Sequence, residues 1–125
     1  MAFEVETTDR TCVVDVTDEV ATAVPDDATG TATVFVPHTT AGVVVNEPES
    51  GLLADIEAAL SRIVPDDDYE HDRIDDNAAA HLRALVLGES VTVPITDGRP
   101  DLGTWQSILF VECDGPRTRR VRVVA

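Results

Sequence analysis

The 125-residue chain predicts a single α+β domain over residues 1–125, a mainly antiparallel or mixed β-sandwich with two principal helices. Short runs rich in β-branched residues occur towards both ends of the chain, and two longer segments carry apolar residues at helical spacing. Because strands and helices do not alternate one by one, a parallel α/β sheet is not expected. The hydrophobic fraction of 43% is sufficient for a packed core.

The first 47 residues are expected to contain four strands and one short helix. The segments FEVET (residues 3–7) and TCVVDV (11–16) are interpreted as a hairpin-like pair. Thr17 is then expected to cap a short helix over TDEVATAV. Two further strands follow, TATVFV (31–36) and GVVVNE (42–47), with the polar segment HTT between them.

The middle of the chain carries the two principal helices. SGLLADIEAALSRIV (50–64) has Ser50 as its expected N-cap and one apolar stripe at three- and four-residue spacing. An acidic loop over residues 65–76 leads to DNAAAHLRALVLG (76–88), a helix expected to be capped by Asp76 and to end at Gly88. Its expected core face consists of Leu82, Leu85 and Val86.

The last third of the chain returns to strands, which are expected over residues 90–95, 103–114 and 117–125. Cys12 and Cys113 each lie in an apolar strand-like run, and the chain has no CxxC motif. The two cysteines are therefore expected to be buried thiols rather than a disulfide or a metal pair.

The charge balance excludes several classes of partner. Twenty-four acidic residues face nine basic ones, all of them arginine, and the net charge is −15. Nucleic acid and anionic membranes both require a basic surface, so neither is an expected partner. The excess of carboxylates indicates adaptation to a salt-rich cytoplasm, where the self-repulsion is screened.

Neither a membrane span nor a secretory signal is expected from the sequence. No apolar run approaches the roughly 20 residues that cross a bilayer. The segment MAFEVETTDR lacks a basic region followed by an apolar one. A soluble cytoplasmic protein from a halophilic source is the expectation.

The three histidines are candidate metal ligands. His38 follows a strand, His71 lies in the acidic loop, and His81 lies on the second principal helix. Imidazole is the commonest protein ligand for zinc, and three protein ligands plus a water form the usual open catalytic site. Their spacing matches no known motif, so three solvated or capping histidines are the alternative.

Other polar residues stand at the ends of the expected elements. Asn77 lies four residues before His81, so the two share a helix face, although Asn77 could instead act as a cap. Glu47 ends the strand GVVVNE, and a hairpin through HTTAG would place Glu47 and His38 at opposite ends of the ladder. Trp105 and Gln106 are the only residues of their types, and either a core role or ligand binding is open to them.

Four arginines are concentrated in the last nine residues: Arg117, Arg119, Arg120 and Arg122. Guanidinium groups suit carboxylates and phosphates, although neutralisation of nearby acids is the alternative. The chain contains no P-loop, GxGxxG or nucleophile-elbow motif, so nucleotide-binding folds and serine or cysteine hydrolases have no support.

Several motifs together resemble one known family. HTTAGVVVNE, the tripeptide YEH, DDNAAAHLRALVLGESVTVPI and DGRPDLGTWQSILFVECDGPRTRRV occur in the order found in the YjbQ family, also called UPF0047, which is sometimes described as secondary thiamine-phosphate synthase. The resemblance implies an α+β sandwich that assembles as a trimer with sites near subunit boundaries. It also implies that His38, His71 and His81 gather around a divalent metal, taken to be zinc.

The resemblance further implies a function for the polar residues. The reaction would join a pyrimidine diphosphate to a thiazole phosphate and release pyrophosphate. Glu47 and His81 are the expected catalytic residues. The expected contacts to the small phosphorylated substrate come from Thr39, Thr40, Asn77, Gln106 and Arg119. A metal-dependent hydrolase of a small phosphorylated or amide compound, and a non-catalytic trimeric module for a small anion, are the alternatives.

Overall fold

Two antiparallel β-sheets and three α-helices make up the fold in the computed structural model, which describes residues 1–125. The strands are β1 Ala2–Glu6, β2 Cys12–Asp15, β3 Gly30–Phe35, β4 Ala41–Asn46, β5 Ser90–Thr96, β6 Arg99–Pro100, β7 Ser107–Glu112 and β8 Thr118–Val124. The helices are α1 Thr17–Ala23, α2 Ser50–Ile63 and α3 Ala78–Leu87, and a 3₁₀ turn covers Glu70–Arg73. The predicted α+β class is confirmed.

The two sheets share one hydrophobic core. A five-stranded sheet has the order β1-β8-β3-β5-β6, and a three-stranded sheet has the order β2-β7-β4. Val34 and Val121 of the larger sheet are fully buried in the same cluster as Ile108 and Phe110 of the smaller one. Alternate residues of β8 are buried, as expected for a strand with one face towards the core.

The expected pairing of the first two strands is wrong, and the hairpin through HTTAG, which the sequence left open, does not form. β1 pairs with β8 and β2 pairs with β7, so the first two strands belong to different sheets and form no hairpin. β3 pairs with β5 and β8, whereas β4 pairs only with β7. Pro37 follows β3 and has no N–H to donate to a ladder. The HTTAG segment is therefore a crossover between sheets rather than a hairpin loop.

The helices occur where the sequence predicted them, but their caps differ. Glu49 rather than Ser50 caps α2, because its carboxylate accepts a hydrogen bond of 2.6 Å from the backbone N–H of Leu52. Thr17 is the first residue of α1 and makes no capping bond. Asp76 lies before α3 with a positive φ of 55°, and Asn77 occupies the N-cap position.

The expected core face of α3 is wrong. Leu85 is 78% exposed and Val86 is 57% exposed, while Leu82 is half-buried. The buried residues of this helix are Ala78, Ala79, Ala80, Arg83 and Ala84. Small side chains let α3 approach β4 closely, so the alanines face the sheet in place of the larger residues.

Arg83 links the two principal helices. Its side chain is buried and donates two hydrogen bonds to the carbonyl oxygen of Val64 at the end of α2, of 3.0 and 2.7 Å. This contact fixes the start of the acidic loop relative to α3.

No helix combines the length and the apolar character that a membrane span requires. Both cysteines are free thiols, but only Cys113 is buried as expected, whereas Cys12 is half-buried.

Candidate functional site

An open cleft of about 940 Å³ lies where the segment after β3, the acidic loop, the start of α3 and the end of β7 meet. Six of the nine expected site residues line it: His38, Thr39, Thr40, Asn77, His81 and Arg119, whereas His71, Glu47 and Gln106 do not. The six lining residues come from three segments that are far apart in the chain, and the crossover between the sheets brings the first segment to the other two. The cleft is therefore the candidate site.

The floor of the cleft contains a buried ion pair. Arg119 is only 5% exposed and donates from Nε to Glu112 Oε1 at 2.8 Å and from Nη2 to Glu112 Oε2 at 2.5 Å. Nη2 also donates to the hydroxyl of Thr40 at 2.8 Å. Arg119 is thus held in one orientation, and the Thr40 hydroxyl helps to hold it there.

Glu112 is completely buried and was not selected from the sequence. Burial raises its pKa, but hydrogen bonds from Arg119, from the backbone N–H of Asp114 and from the hydroxyl of Thr7 outweigh this and leave the pKa below its ordinary value. The carboxylate therefore stays charged opposite Arg119. A single acid at the end of the apolar run ILFV was the signal that could have identified it.

His38 occupies the place where the β3–β8 ladder ends. The backbone N–H of Arg120 donates to Nε2 of His38 at 2.9 Å, and the carbonyl oxygen of Arg120 lies 3.2 Å from the same nitrogen. Partial burial of the ring, and then the positive charge of Arg119, lower the pKa of His38. The ring is therefore neutral at physiological pH.

His71 and His81 lie side by side. Their ring centroids are 4.6 Å apart and the rings are nearly perpendicular. Nε2 of His71 is buried without a hydrogen-bond partner, and the nearest carboxylate oxygen, from Asp75, lies 3.7 Å away. An orphaned imidazole nitrogen beside a second imidazole is the arrangement that a divalent metal ion would satisfy.

The acidic loop and α3 are joined by Asp72. Its carboxylate accepts hydrogen bonds from the backbone N–H of Ala78 at 2.9 Å and of Tyr69 at 3.2 Å. These two bonds hold the pKa of Asp72 below its ordinary value. Because Asp72 follows His71 directly, this contact also fixes the position of the His71 ring relative to the start of α3.

Only two of the three histidines are placed so that they could bind the same metal ion. No group of three or more histidine, cysteine or acidic side chains converges in a single chain. His71 and His81 are close enough to share an ion, but Nε2 of His38 is already occupied by the backbone of Arg120. The three histidines therefore do not form one ligand group within this chain, and His71 and His81 are the two that lie together.

Asn77 faces the cleft at the start of α3. Its Nδ2 donates to Asp114 at 3.0 Å, and its Oδ1 is buried without a partner. The side chain makes no capping bond to the helix. The same Asp114 carboxylate accepts a 2.9 Å bond from Arg117, so Asp114 connects Asn77 to the C-terminal arginines. Of the two roles considered for Asn77, only the one facing the cleft has support.

Glu47 and Gln106 do not reach this cleft. They line a second, shallower pocket of about 390 Å³ together with Val45, Asn46 and Trp105. Glu47 and Thr40 flank opposite ends of β4, which separates them by roughly 24 Å, seven residues at about 3.4 Å each. Gln106 accepts a bond from the backbone of Gly103, and Trp105 is 72% exposed.

The cleft is acidic overall. Its charged lining residues are Arg10, Arg117 and Arg119 with Asp66, Asp67, Asp72, Asp75, Asp76 and Asp114. Each arginine has a carboxylate partner: Arg10 contacts Asp66 at 3.3 Å, Arg117 contacts Asp114, and Arg119 contacts Glu112. A bare polyanion is therefore not favoured, whereas an anion accompanied by a divalent cation is compatible with this lining.

Comparison with known sequences gives one consistent result. A family model described as UPF0047 protein YjbQ-like matches residues 1–125. The UPF0047 protein of Archaeoglobus fulgidus is 49% identical over 126 residues, covering 100% of this chain and 99% of that protein. The UPF0047 protein YugU of Bacillus subtilis is 38% identical over 123 residues, covering 94% and 91%.

Solved structures agree with the sequence comparison. A hypothetical protein from Aeropyrum pernix has a TM-score of 0.94 at 42% identity, covering 99% of this chain and 95% of that chain. An uncharacterized protein of the yjbq/upf0047 family from Clostridium acetobutylicum has a TM-score of 0.92 at 38% identity, covering 99% and 98%. Sequence and fold thus lead to the same set of relatives.

Proposed function

The chain belongs to the UPF0047 family of YjbQ-like proteins, and we propose that its cleft binds and converts a small phosphorylated molecule with the help of a divalent metal ion. The observation that carries this proposal is the convergence of His38, Thr39, Asn77, His81 and Arg119 on one cavity. The reaction we propose is the joining of a pyrimidine diphosphate to a thiazole phosphate with release of pyrophosphate, as a main or secondary activity.

The expected site residues in and beside the cleft have separate tasks in this proposal. His71 and His81 would hold the ion, zinc in the first instance, which when bound supplies Lewis acidity towards a phosphate oxygen. Arg119, fixed by its buried carboxylate partner, donates to the departing phosphate group. Asn77 offers its unpartnered Oδ1 to a substrate N–H or O–H, and Thr39 lies exposed at the rim.

A homotrimer is part of the same proposal. Glu47 and Gln106 are too far from the cleft of their own chain, so their proposed roles as base and substrate contact require the pocket of a neighbouring subunit to face this cleft. Trp105 beside them is exposed, as is Leu85 on α3. Large exposed apolar side chains are frequent at subunit contacts. This supports assembly through these surfaces.

We also propose a cytoplasmic setting with high salt. The net charge of −15 with no lysine is the feature that supports it. In about molar salt, screening acts over about 3 Å, so neighbouring carboxylates no longer repel one another strongly.

The proposal is tested by measuring bound metal and turnover together. The wild-type protein is incubated with zinc, desalted, and analysed for metal content and for pyrophosphate release with and without the thiazole phosphate. We expect bound zinc and release that depends on the thiazole partner, and we expect His81→Ala to lose both. Arg73→Ala, an exposed residue outside the cleft, is the control and should retain both.

Other outcomes separate the alternatives. Phosphate or pyrophosphate release without the thiazole partner would favour a hydrolase. Tight pyrophosphate binding with no turnover would favour an anion-binding module. A wild-type protein that neither retains zinc nor binds pyrophosphate would contradict all of these functions.

A further inference from the structure

We propose that His38 is a fixed hydrogen-bond donor to an oxygen of the bound molecule, through Nδ1–H, and is not a metal ligand. This differs from the role that the family resemblance implies for His38. The assignment of the bound oxygen to a phosphate group rests on the proposed function, whereas the position of the hydrogen on the ring does not. The inference follows from the way the β3–β8 ladder ends.

On the β3 side of β8, the ladder leaves Arg120 without a strand partner, although Arg120 lies opposite Glu4 of β1 on the other side. Phe35 lies opposite Arg122, so continuing the same register by two residues would place Pro37 opposite Arg120. The chain leaves the sheet at this point, so no carbonyl of β3 lies opposite the Arg120 N–H, and Pro37 has no N–H that could reach the Arg120 carbonyl oxygen. The N–H of Arg120 therefore has no backbone acceptor and donates instead to Nε2 of His38.

This contact fixes the tautomer of the ring. The peptide N–H keeps its hydrogen at all physiological pH values, so Nε2 must supply its lone pair at 2.9 Å. The other tautomer would donate from Nε2 to the carbonyl oxygen of Arg120 at 3.2 Å, but the peptide hydrogen would then face the Nε2 hydrogen without an acceptor. Because Nε2 keeps its lone pair for this bond, the ring is neutral and its single hydrogen lies on Nδ1.

The same contact prevents metal binding by His38. Ligation through Nε2 would compete with the bond from Arg120, and ligation through Nδ1 would require its hydrogen to move to Nε2. Nδ1 has no hydrogen-bond partner in the protein, and the ring lines the cleft. An acceptor oxygen in the cleft is therefore its natural partner.

A second donor accompanies His38. Arg119 uses Nε and Nη2 for Glu112 and Thr40, and its Nη1 makes no hydrogen bond within the protein. Arg119 also lines the cleft and is near enough to lower the pKa of His38. Two fixed N–H groups that lack acceptors suit the oxygens of a phosphate group. Phosphate is the ligand chemistry that we assign to this side of the cleft.

The tautomer can be measured directly on the full-length chain. Long-range proton–nitrogen correlation spectra of ¹⁵N-labelled protein distinguish the two neutral tautomers, and a spectrum of His38→Gln assigns the His38 signals. We expect a hydrogen on Nδ1 and none on Nε2. A hydrogen on Nε2 of His38 would overturn the proposal, whether or not the protein binds zinc.

Zinc titrations, and pyrophosphate titrations of the zinc-loaded protein, test the consequence. Glutamine at position 38 can retain an acceptor near Nε2 and lacks the Nδ1–H donor. We expect His38→Gln to bind zinc within about twofold of wild type and pyrophosphate about tenfold more weakly, the effect of one hydrogen bond. His81→Ala is the matched control and should lose zinc.

Two results of these titrations would contradict the donor role. One is loss of zinc by His38→Gln to the same extent as by His81→Ala, and the other is unchanged pyrophosphate affinity. A wild-type protein that binds neither probe would refute the proposed function, and the tautomer spectra would still decide the state of His38.

Discussion

Arg119 depends on a carboxylate that lies deeper in the protein than the cleft itself. Glu112 has no exposed surface and accepts five hydrogen bonds, from Thr7, Arg119 and the backbone. A buried ion pair often adds little net stability, because desolvation of both charges offsets their attraction. The contribution of Glu112 is therefore the orientation of Arg119.

Replacing Glu112 with glutamine should destabilise the protein strongly. The change leaves the guanidinium of Arg119 buried without a charged partner, and loss of one member of such a pair costs about 3–5 kcal/mol. Urea denaturation at pH 7 measures the free energy of unfolding. Glu70→Gln is the control, because its 3.2 Å contact with Arg73 is on the surface and contributes at most about 1 kcal/mol.

The pH dependence of this effect has a definite sign. The folded-state pKa of Glu112 is below its ordinary value of 4.5, so the stabilisation is complete above pH 4.5 and is lost as the pH falls through the folded-state pKa. The difference between wild type and Glu112→Gln should shrink only in that acidic range. If the difference in unfolding free energy between the two proteins already disappears between pH 7 and pH 5, the lowered pKa assigned to Glu112 is wrong.

Residue identities alone could not predict how the site is assembled. The histidines are tens of residues apart, and their spacing indicated no cluster. The family resemblance singled out His38 and His81, which line one cleft, but it also singled out Glu47, which lies in another pocket. Glu112 was missed because an acid in an apolar strand can be recognised as a buried ion-pair partner only when the position of Arg119 is known.

At the scale of elements, α3 packs against β4 through unusually small residues. A Cβ atom added at Gly42 would lie 2.7 Å from the carbonyl oxygen of Gly88 and 2.7 Å from Cβ of Leu87. The backbone of Val43 also donates to Gly88 at 3.2 Å. The end of α3 therefore lies directly on the strand that begins beside the cleft.

The Gly42→Ala change should consequently loosen the contact between α3 and β4. The added methyl group meets backbone that cannot move without separating the two elements, and overpacking of this kind costs about 1–3 kcal/mol. Thermal unfolding measures the loss. Gly51→Ala is the matched control, since Gly51 lies in the first turn of α2, where only the Glu49 side chain is close and alanine favours the helix.

An unchanged or higher melting temperature for Gly42→Ala would contradict this view of the contact between α3 and β4. The variant should also bind zinc more weakly, because the same helix carries His81. A variant that is destabilised but retains full zinc affinity would show that the position of His81 does not depend on this contact.

Element positions were predictable because they depend on local patterns. The spacing of apolar residues located α2 and α3, and β-branched runs located most strands. Pairing depends on long-range contacts, so the hairpin expected for β1 and β2 could not be checked from the sequence. The core face of α3 was misjudged because it depends on packing against β4, which is far away in the chain, and the residues that α3 buries are mostly alanines.

At the scale of the whole molecule, the acidic surface is the dominant feature. The net charge is −15, and the three arginines that line the cleft are already paired with carboxylates. Most of the remaining carboxylates have no cationic partner available. Their mutual repulsion opposes the folded state, and it opposes assembly of like-charged subunits even more strongly.

Stability should therefore rise with salt concentration. Between about 0.01 M and 1 M salt the screening length falls from about 30 Å to about 3 Å, which suppresses repulsion between separate surface carboxylates. We expect the melting temperature to rise by several degrees over this range, and light scattering in the same samples to detect assembly only at the high-salt end. The double variant Asp26→Asn, Asp27→Asn removes two exposed charges and should depend less on salt. If wild type and this variant melt at the same temperature in all these solutions, charge repulsion does not limit the stability of the fold, and the inference of a salt-rich environment is wrong.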